Sequence, residues 1–493
     1  MDLMYMVLPA LLIMTVLAGV WLERWSVPVI LVALGVGMVS GGDVLGIWDF
    51  SNARAANQLA NLALVFILFQ GGFGTRREDL RKVLLPAVGL ATWGVVLTAL
   101  STFLVLYLGL NWNWAESALI AVIISSTDAA ATFSVLQRQK LPQRLSSTLE
   151  IESAANDPMA VLLTMTVLQV VAVGQGMKGC EVLLALAWKF AAGPVAGWAM
   201  ARGALWLFDR LRPREKGHYY VLFLGVVLLT YGLAENVLRA SGMLAVYAAG
   251  VTMGNRSFVH KQGISNFSAA FSGIANVAMF LLLGLLVAPS EFAHVRIWGR
   301  GLQLFATLAF VSRPLAVALG TAGMGFSRKE RALLAWAGLR GAVPIVLATY
   351  PASEGMAFGN EVFNLVFFAV LLSVLVQGAT LGALARRLKF GGRKRQGPSY
   401  SLELFTMAKS GMDLLALEMP GKLGAPGPLV KELALPPQAV ITLVTRGNRV
   451  LSPQGATRLC GGDYVTVLAP VARFDEVRKA LEVAARPKTA NAQ

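Results

Sequence analysis

Apolar residues run in long unbroken blocks, not in the alternation of half-buried strands or the narrow stripes of soluble helices. Thirteen stretches approach the roughly 20 mostly apolar residues that a bilayer-spanning helix needs. They fall near 4–22, 27–41, 57–74, 83–108, 115–137, 145–174, 181–207, 218–237, 241–255, 267–288, 299–321, 331–350 and 360–388. The second and ninth are short and rich in glycine. The first lacks a basic n-region and a small-residue cleavage site, so it reads as a retained helix and not a signal peptide. Residues 1–390 are thus expected to be an all-α polytopic membrane protein of about thirteen transmembrane helices, with the lipid bilayer as solvent.

The pattern changes after residue 390. Residues 391–399 are a polar, basic, Gly/Pro-containing linker, and 400–485 read as a small cytoplasmic α/β lobe, followed by a tail over 486–493. Within the lobe, "SLELFTM", "DLLALEM" and "DYVTVLAP" have strand character, and "PLVKELAL" predicts a short helix. "AVITLVTRGNRVLSP" predicts a hairpin turning at Gly447 and Asn448. "ARFDEVRKALEVAA" has the period of an amphipathic helix. Modules of this size often dimerise to bury enough surface.

Composition agrees. The chain is 56% hydrophobic and 14% charged, against about 25% charged in a soluble domain. Two cysteines exclude a disulfide scaffold, and three scattered histidines form no ligand cluster. The net charge of +16 first suggests nucleic acid, but its placement follows membrane topology. With the N-terminus outside, the loops facing inward carry most of the arginines and lysines, from Arg24 to the Arg386–Arg395 cluster. The outward loops carry only Arg54, Lys178, Arg239, Arg296 and Arg300. That is the positive-inside bias. It places the N-terminus outside and the C-terminal lobe in the cytoplasm, and leaves no role for nucleic acid. Cys180 then lies outside and Cys460 inside, so they do not pair within one subunit.

Ionisable residues deep in a span are costly and mark function. At 1.5 Å per residue, Asp128, Asp157, Arg313 and Arg340 lie roughly 14–21 Å from the ends of their stretches, near the middle of a hydrocarbon layer about 30 Å thick. Around them the backbone is set to break. "SSTDAAAT" (125–132) is small and polar, and "GLRGAVP" places Gly338, Gly341 and Pro344 inside a span. Broken helices seven spans apart suit inverted repeats around a central site. A carboxylate at the first break would offset half-helix N-termini, and an arginine at the second would offset C-termini. On the sixth stretch, Ser153 and Asp157 are i, i+4 and share a face, beside Asn156 and Pro158. Carboxylate, amide and hydroxyl oxygens suit an alkali cation, and such a carboxylate holds either a proton or a cation. Glu152 and Arg313 read as a structural ion pair, since each needs an opposite charge at that depth. Glu150, near the inside end, is satisfied by its helix N-terminus. Lys189 reads as a snorkelling lysine and Trp112 and Trp114 as interfacial anchors.

At "STDAAA", "ESAANDP", "SRP" and "GLRGAV", in order over about residues 1–390, the sequence resembles NhaP-type cation/proton antiporters of the Asn-Asp branch. The resemblance implies the thirteen-helix fold, a core domain rocking against a dimerisation domain, and a homodimer in a bacterial inner membrane. It makes Asp157 the essential cation- and proton-binding carboxylate, completed by Asn156, Asp128, Thr127 and Ser153. Glu152 and Arg313 would form the core ion pair, and Arg340 would balance the crossed helices. Asn156, where the electrogenic branch has a second Asp, implies electroneutral exchange of K+ (favoured) or Na+ for protons. Gln70 in "ILFQGGFGT" departs from the acid many relatives carry, which puts an accessory ligand role there in doubt. The 400–485 lobe resembles the C-terminal lobe of potassium-conductance regulator (RCK) domains, as in potassium/proton antiporters related to NhaP. Those often carry a further cytoplasmic module, which is not expected here. No enzyme motif, dinucleotide fingerprint or cofactor is implied; the transported ions and a regulatory ligand of unknown identity on the lobe are the expected small partners. The alternative functions are a cation channel gated by the lobe, disfavoured by the lack of a carbonyl-filter motif, and a receptor whose transporter part only anchors the lobe.

Overall fold

The computed structural model describes residues 2–22, 29–48, 52–75, 86, 89–128, 132, 141–173, 179–211, 215, 217–287, 289–290, 295–390, 412–420, 424–447, 449–470 and 473–484. It forms two compact units, one helical (residues 1–256 and 265–394) and one containing the C-terminal strands (residues 257–264 and 395–493).

The helical unit comprises α1 (Asp2–Leu22), α2 (Val29–Ser40), α3 (Ala53–Gly74), α4 (Leu90–Gly109), α5 (Trp114–Ile123), α6 (Gln143–Val173) and α7 (Gly179–Arg210). It continues with α8 (Gly217–Val237), α9 (Gly242–Gly254), α10 (Lys261–Leu285, of which 265–285 belong to this unit) and α11 (Arg296–Gly320). The last are α12 (Arg328–Trp336), α13 (Ala342–Ser353) and α14 (Gly359–Arg387). Among the described residues, seven of these are long and apolar enough to cross a membrane: α3, α4, α6, α8, α10, α11 and α14. Several others are shorter because the chain breaks inside the apolar stretch. Among the described residues, the block at 115–137 is helical to Ile123, leaves helical geometry through Ser126–Asp128 and is helical again at Thr132. The block at 331–350 is α12, an irregular passage over Gly338–Gly341, and then α13. Pro344 sits in the first turn of α13, where its missing N–H costs no helical bond.

Small residues set the closest packing. A Cβ on Gly72 would stand 2.3 Å from the carbonyl oxygen of Tyr247; one on Gly250 would stand 2.3 Å from that of Phe69, and one on Gly254 2.1 Å from that of Phe73. These three glycines let α3 and α9 touch backbone to backbone, the close approach that small residues four apart give membrane helices. Trp114 is exposed, but Trp112 is buried, with Arg300 stacked 4.0 Å over its ring. Trp112 is therefore not an interfacial anchor. Arg300 is held there by Glu116 at 2.6 Å and by Glu361, so the tryptophan completes a half-buried charge cluster.

The second unit is mainly β. Strands β1 (Met412–Glu418), β3 (Val440–Arg446), β4 (Arg449–Leu451) and β6 (Tyr464–Pro470) form an antiparallel sheet in the order β1-β6-β3-β4. β2 (Pro426–Leu429) pairs with β5 (Arg458–Cys460). Helix α15 (Phe474–Ala484) buries Val477 and Leu481 against Val444, Leu459, Val465 and Val467. The hairpin turns through Gly447, whose φ of +58° suits a residue without a Cβ, and pairs Arg446 with Arg449. The helix expected at "PLVKELAL" is absent: the segment is β2 followed by a single 3-10 turn, Val430–Glu432. Pro428 and the prolines at 436 and 437 leave too few residues for a helix between them. Among the described residues the lobe is thus a small β domain with one α-helix, where the sequence predicts an α/β lobe. The strand expected at "SLELFTM", the 391–399 linker and Asn448 lie outside the described residues. Asp463, 1% exposed, fixes the β5–β6 turn by accepting from Cys460 N at 2.7 Å and from Arg446 Nε and Nη2 at 2.9 and 2.8 Å. Those bonds hold the Arg446 guanidinium above its ordinary pKa.

Candidate functional site

The two breaks lie against each other. Asp128 N donates to Leu339 O at 2.8 Å, and Thr132 Oγ1 donates to Ala337 O at 2.8 Å. Arg340 returns the contact: its Nη1 donates to Ser125 O at 2.8 Å and Ser126 O at 2.6 Å, just past the C-terminus of α5. A Cβ on Gly341, the residue that precedes α13, would stand 1.7 Å from Asp128 Oδ2. Each break therefore supplies the charge that suits the other's helix end. The carboxylate of the first sits at the N-terminus of α13, and the guanidinium of the second covers carbonyls at the C-terminus of α5. Backbone groups freed from helical bonding are thereby satisfied away from lipid.

α6 passes beside this crossing and carries the polar cluster. Thr127 Oγ1 and Ser153 Oγ are 3.0 Å apart, and Asn156 Nδ2 donates to Thr127 Oγ1 at 2.7 Å. Thr127, Ser153 and Asn156 are all buried. Asp157 lies within electrostatic reach of Asp128 and beside Ser126. Asn156 Oδ1 is buried with no hydrogen-bond partner in the structure. An oxygen atom left unsatisfied at that depth is costly, and this one belongs to the residue that precedes Asp157. The donor set is hard oxygen throughout: carboxylate, amide carbonyl and hydroxyls, with no thiolate or imidazole, which suits an alkali cation and not a transition metal.

The remaining singled-out residues fall around this cluster. Glu152, one residue before Ser153, pairs with Arg313 of α11 through Oε1 and Nη1, with both side chains almost wholly buried. Arg313 Nη2 also reaches Leu334 O at 3.3 Å, and a Cβ on Gly338 would stand 2.4 Å from its Nε. Gly338 is thus a slot for the guanidinium, as Gly341 is for the carboxylate. Gln70 lies on α3, and its Oε1 is buried with no hydrogen-bond partner in the structure. The Glu150 side chain lies outside the described residues.

Two contributors escape a search for charges. Arg340 N donates to Ser373 Oγ at 3.2 Å, and Ser373 Oγ donates to Gln377 Oε1 at 2.6 Å. Both lie on a π-helical turn of α14, Ser373–Gly378, a geometry that favours functional sites. Their i, i+4 spacing inside an apolar run, "LLSVLVQG", is the available signal.

Residues 10–387 match the sodium/hydrogen exchanger transmembrane family. The K+/H+ antiporter NhaP2 of Shewanella oneidensis is 35% identical over 448 residues, covering 90% of this chain and 77% of that protein. The K+/H+ antiporter NhaP of Alkalimonas amylolytica is 32% identical over 494 residues, covering 100% of this chain and 85% of that one. Among solved structures, the sodium proton antiporter MjNhaP1 from Methanocaldococcus jannaschii is similar at a TM-score of 0.68 with 25% identity, covering 78% of this chain and 99% of that one.

Proposed function

The chain belongs to the sodium/hydrogen exchanger family and is a multi-pass membrane cation/proton antiporter, and from that premise we propose that it exchanges K+, in preference to Na+, for protons one for one at Asp157. The observation that carries the reading is the Asp157 carboxylate set beside Ser126 and one residue on from Asn156, whose buried Oδ1 has no hydrogen-bond partner. With Thr127, Ser153 and Asp128 they form a set of oxygen donors that a desolvated cation satisfies. When the cation leaves, a proton neutralises Asp157. Occupancy by one excludes the other, so each excursion across the membrane carries either a cation or a proton. Alternating access then needs only that the cluster faces one side at a time. An amide at Asn156, where a second acid would add charge, supports electroneutral exchange. The preference for K+ is supported by relatives that match nine tenths or more of the chain and bear K+/H+ names. The channel reading finds no support, since the relatives and the structural neighbour are antiporters.

Around this chemistry we assign Glu152 and Arg313 to holding α6 against α11, and Arg340 to balancing the crossed breaks. Gln70 is at most accessory. The thirteen-span arrangement with inverted repeats over 1–390, with the N-terminus outside and the lobe in the cytoplasm of a bacterial inner membrane, is supported by loop charge. Exposed tryptophans on α1 and α7, among them Trp21, Trp188 and Trp206, suit lipid and the face of a second copy in a homodimer. The 400–485 lobe is proposed to regulate transport by binding a small ligand.

The test is Asp157→Asn in everted vesicles. ΔpH dissipation is followed on adding potassium, sodium or lithium salts, with and without a clamped membrane potential. The parent is expected to respond to K+ independently of the clamp, and the variant to insert normally but not exchange. Parental exchange by the variant would overturn the mechanism.

A further inference from the structure

Ser153, Asp157, Val161 and Met165 lie four apart on α6 and form one stripe. Its first two members belong to the ion cluster. Its last two line a separate, partly open cavity of about 40 Å3. At 1.5 Å per residue the cavity starts roughly 6 Å along the helix from Asp157 and extends toward the C-terminal end of α6. In the orientation proposed above that is the outer side.

The lining is strongly polar, and Glu235 within it is exposed. It brings together Lys189 of α7, Tyr231 and Glu235 of α8, Ser241 ahead of α9, and Tyr350 of α13. None of these entered the transport mechanism, and Lys189, read from the sequence as snorkelling, instead faces this space. Glu235 lies on a π-helical turn, Leu233–Val237, that ends α8. Its Oε2 accepts from Gly242 N at 2.8 Å, which anchors the carboxylate to the start of α9. Gly242 has no Cβ because the Tyr231 ring fills that space: a Cβ would stand 2.7 Å from the ring and 3.0 Å from Glu235 Oε2. Among the described residues, no ion pair joins Lys189 to Glu235 within 4.0 Å. Tyr350 is fixed by a buried relay: its hydroxyl donates to Asn61 Oδ1 at 2.8 Å, Asn61 Nδ2 to Asn57 Oδ1 at 2.8 Å, and Asn57 Nδ2 to Thr349 Oγ1 at 2.9 Å. Tyr350 is also nine residues along α13 from Gly341, so the same short helix carries the crossing at one end and the cavity wall at the other.

We propose that this cavity is a staging site for the monovalent cation on the outer side of Asp157, with the Glu235 carboxylate as its principal attraction, the phenol oxygens of Tyr231 and Tyr350 as neutral donors, and Lys189 as the counter-charge that keeps its hold weak. A cation held tightly there would not move on; one carboxylate opposed by one ammonium attracts without trapping. The site acts on one face of the membrane only. It deepens the antiport reading and rests on it.

The test compares half-saturating cation concentrations on the two faces, in proteoliposomes of defined orientation, for the parent, Glu235→Gln and Lys189→Met. Gln keeps an acceptor for Gly242 N, so the fold at α9 is retained. Removing one unit charge close to the path is expected to raise the outer-face value for K+ roughly fivefold in Glu235→Gln and to lower it by a similar factor in Lys189→Met. Inner-face values stay at the parental level in both. Opposite shifts on one face are not what a general loss of folding produces. Unchanged outer-face values, or equal shifts on both faces, overturn the staging site while parental antiport stands. Loss of the mechanism itself is reported separately by Asp157→Asn.

Discussion

The Glu152–Arg313 pair allows a quantitative test of what holds the ion site in place. Both side chains are almost fully buried, at 1% and 4% exposure. Their partners are few. Arg313 has Glu152 and a long contact to Leu334 O, while Glu152 Oε2 and Arg313 Nε have none. Breaking a buried pair by deleting one member costs about 3–5 kcal/mol, because the other charge is stranded, whereas replacing both by apolar groups of similar size is often close to neutral. The incomplete satisfaction seen here favours that neutral outcome. Glu152→Leu and Arg313→Met are therefore each expected to destabilise the protein by about 3 kcal/mol or more, and the double variant by about 1 kcal/mol or less. The coupling is then about 5 kcal/mol, well above the scatter of non-additivity between distant sites. Glu152→Leu is the worse single change, since it strands a guanidinium that does not shed its proton. The measurement is the fraction of monodisperse protein left after a temperature series in detergent, at pH 5.5 and 8. A double variant as labile as the two singles added together, or a single variant as stable as the parent, would refute the reasoning.

Gly341→Ala places a methyl 1.7 Å from Asp128 Oδ2; such overpacking costs about 1–3 kcal/mol, and displacing that carboxylate is expected to lower exchange at least tenfold while the protein still inserts, read by ΔpH dissipation against a membrane-fraction blot. Asn156→Asp adds a titratable carboxylate next to Asp157 and removes the Nδ2 donation to Thr127; exchange is expected to become sensitive to a clamped membrane potential, and continued insensitivity would mean that Asn156 does not set the stoichiometry. Truncation after Gln396 is expected to leave the order of ion preference unchanged and to alter the maximal rate or the pH of activation. A stable, inserted, inactive truncation would instead make the lobe part of the transport machinery.

Much of this was legible along the chain because a membrane imposes simple rules. Apolar block length marks segments that become helices, and a charge inside such a block is too costly to be incidental, which is why Asp128, Asp157, Arg313 and Arg340 stand out unaided. The breaks were legible too, since "SSTDAAAT" and "GLRGAVP" weaken the helix where lipid would otherwise forbid it. Only the tertiary structure decides which freed carbonyl meets which charge: that Arg340 covers Ser125 and Ser126, that Asp128 fills the space of the missing Gly341 side chain, and that Ser373 supports Arg340. Those pairings join residues more than two hundred positions apart or on a third helix, and local pattern carries no information about them. The same holds for Trp112, drawn inward by Arg300, and for Lys189, whose surroundings are polar because α8, α9 and α13 converge there. In the lobe, β2 and β5 are too short to show a period and exist because each supplies the other's hydrogen bonds. The prolines beside Leu429–Leu435 rule out the helix that its apolar spacing suggests. Sequence settles what the bilayer demands of each segment; the contacts between segments settle the chemistry, because a buried polar group is satisfied only by whatever the fold places beside it.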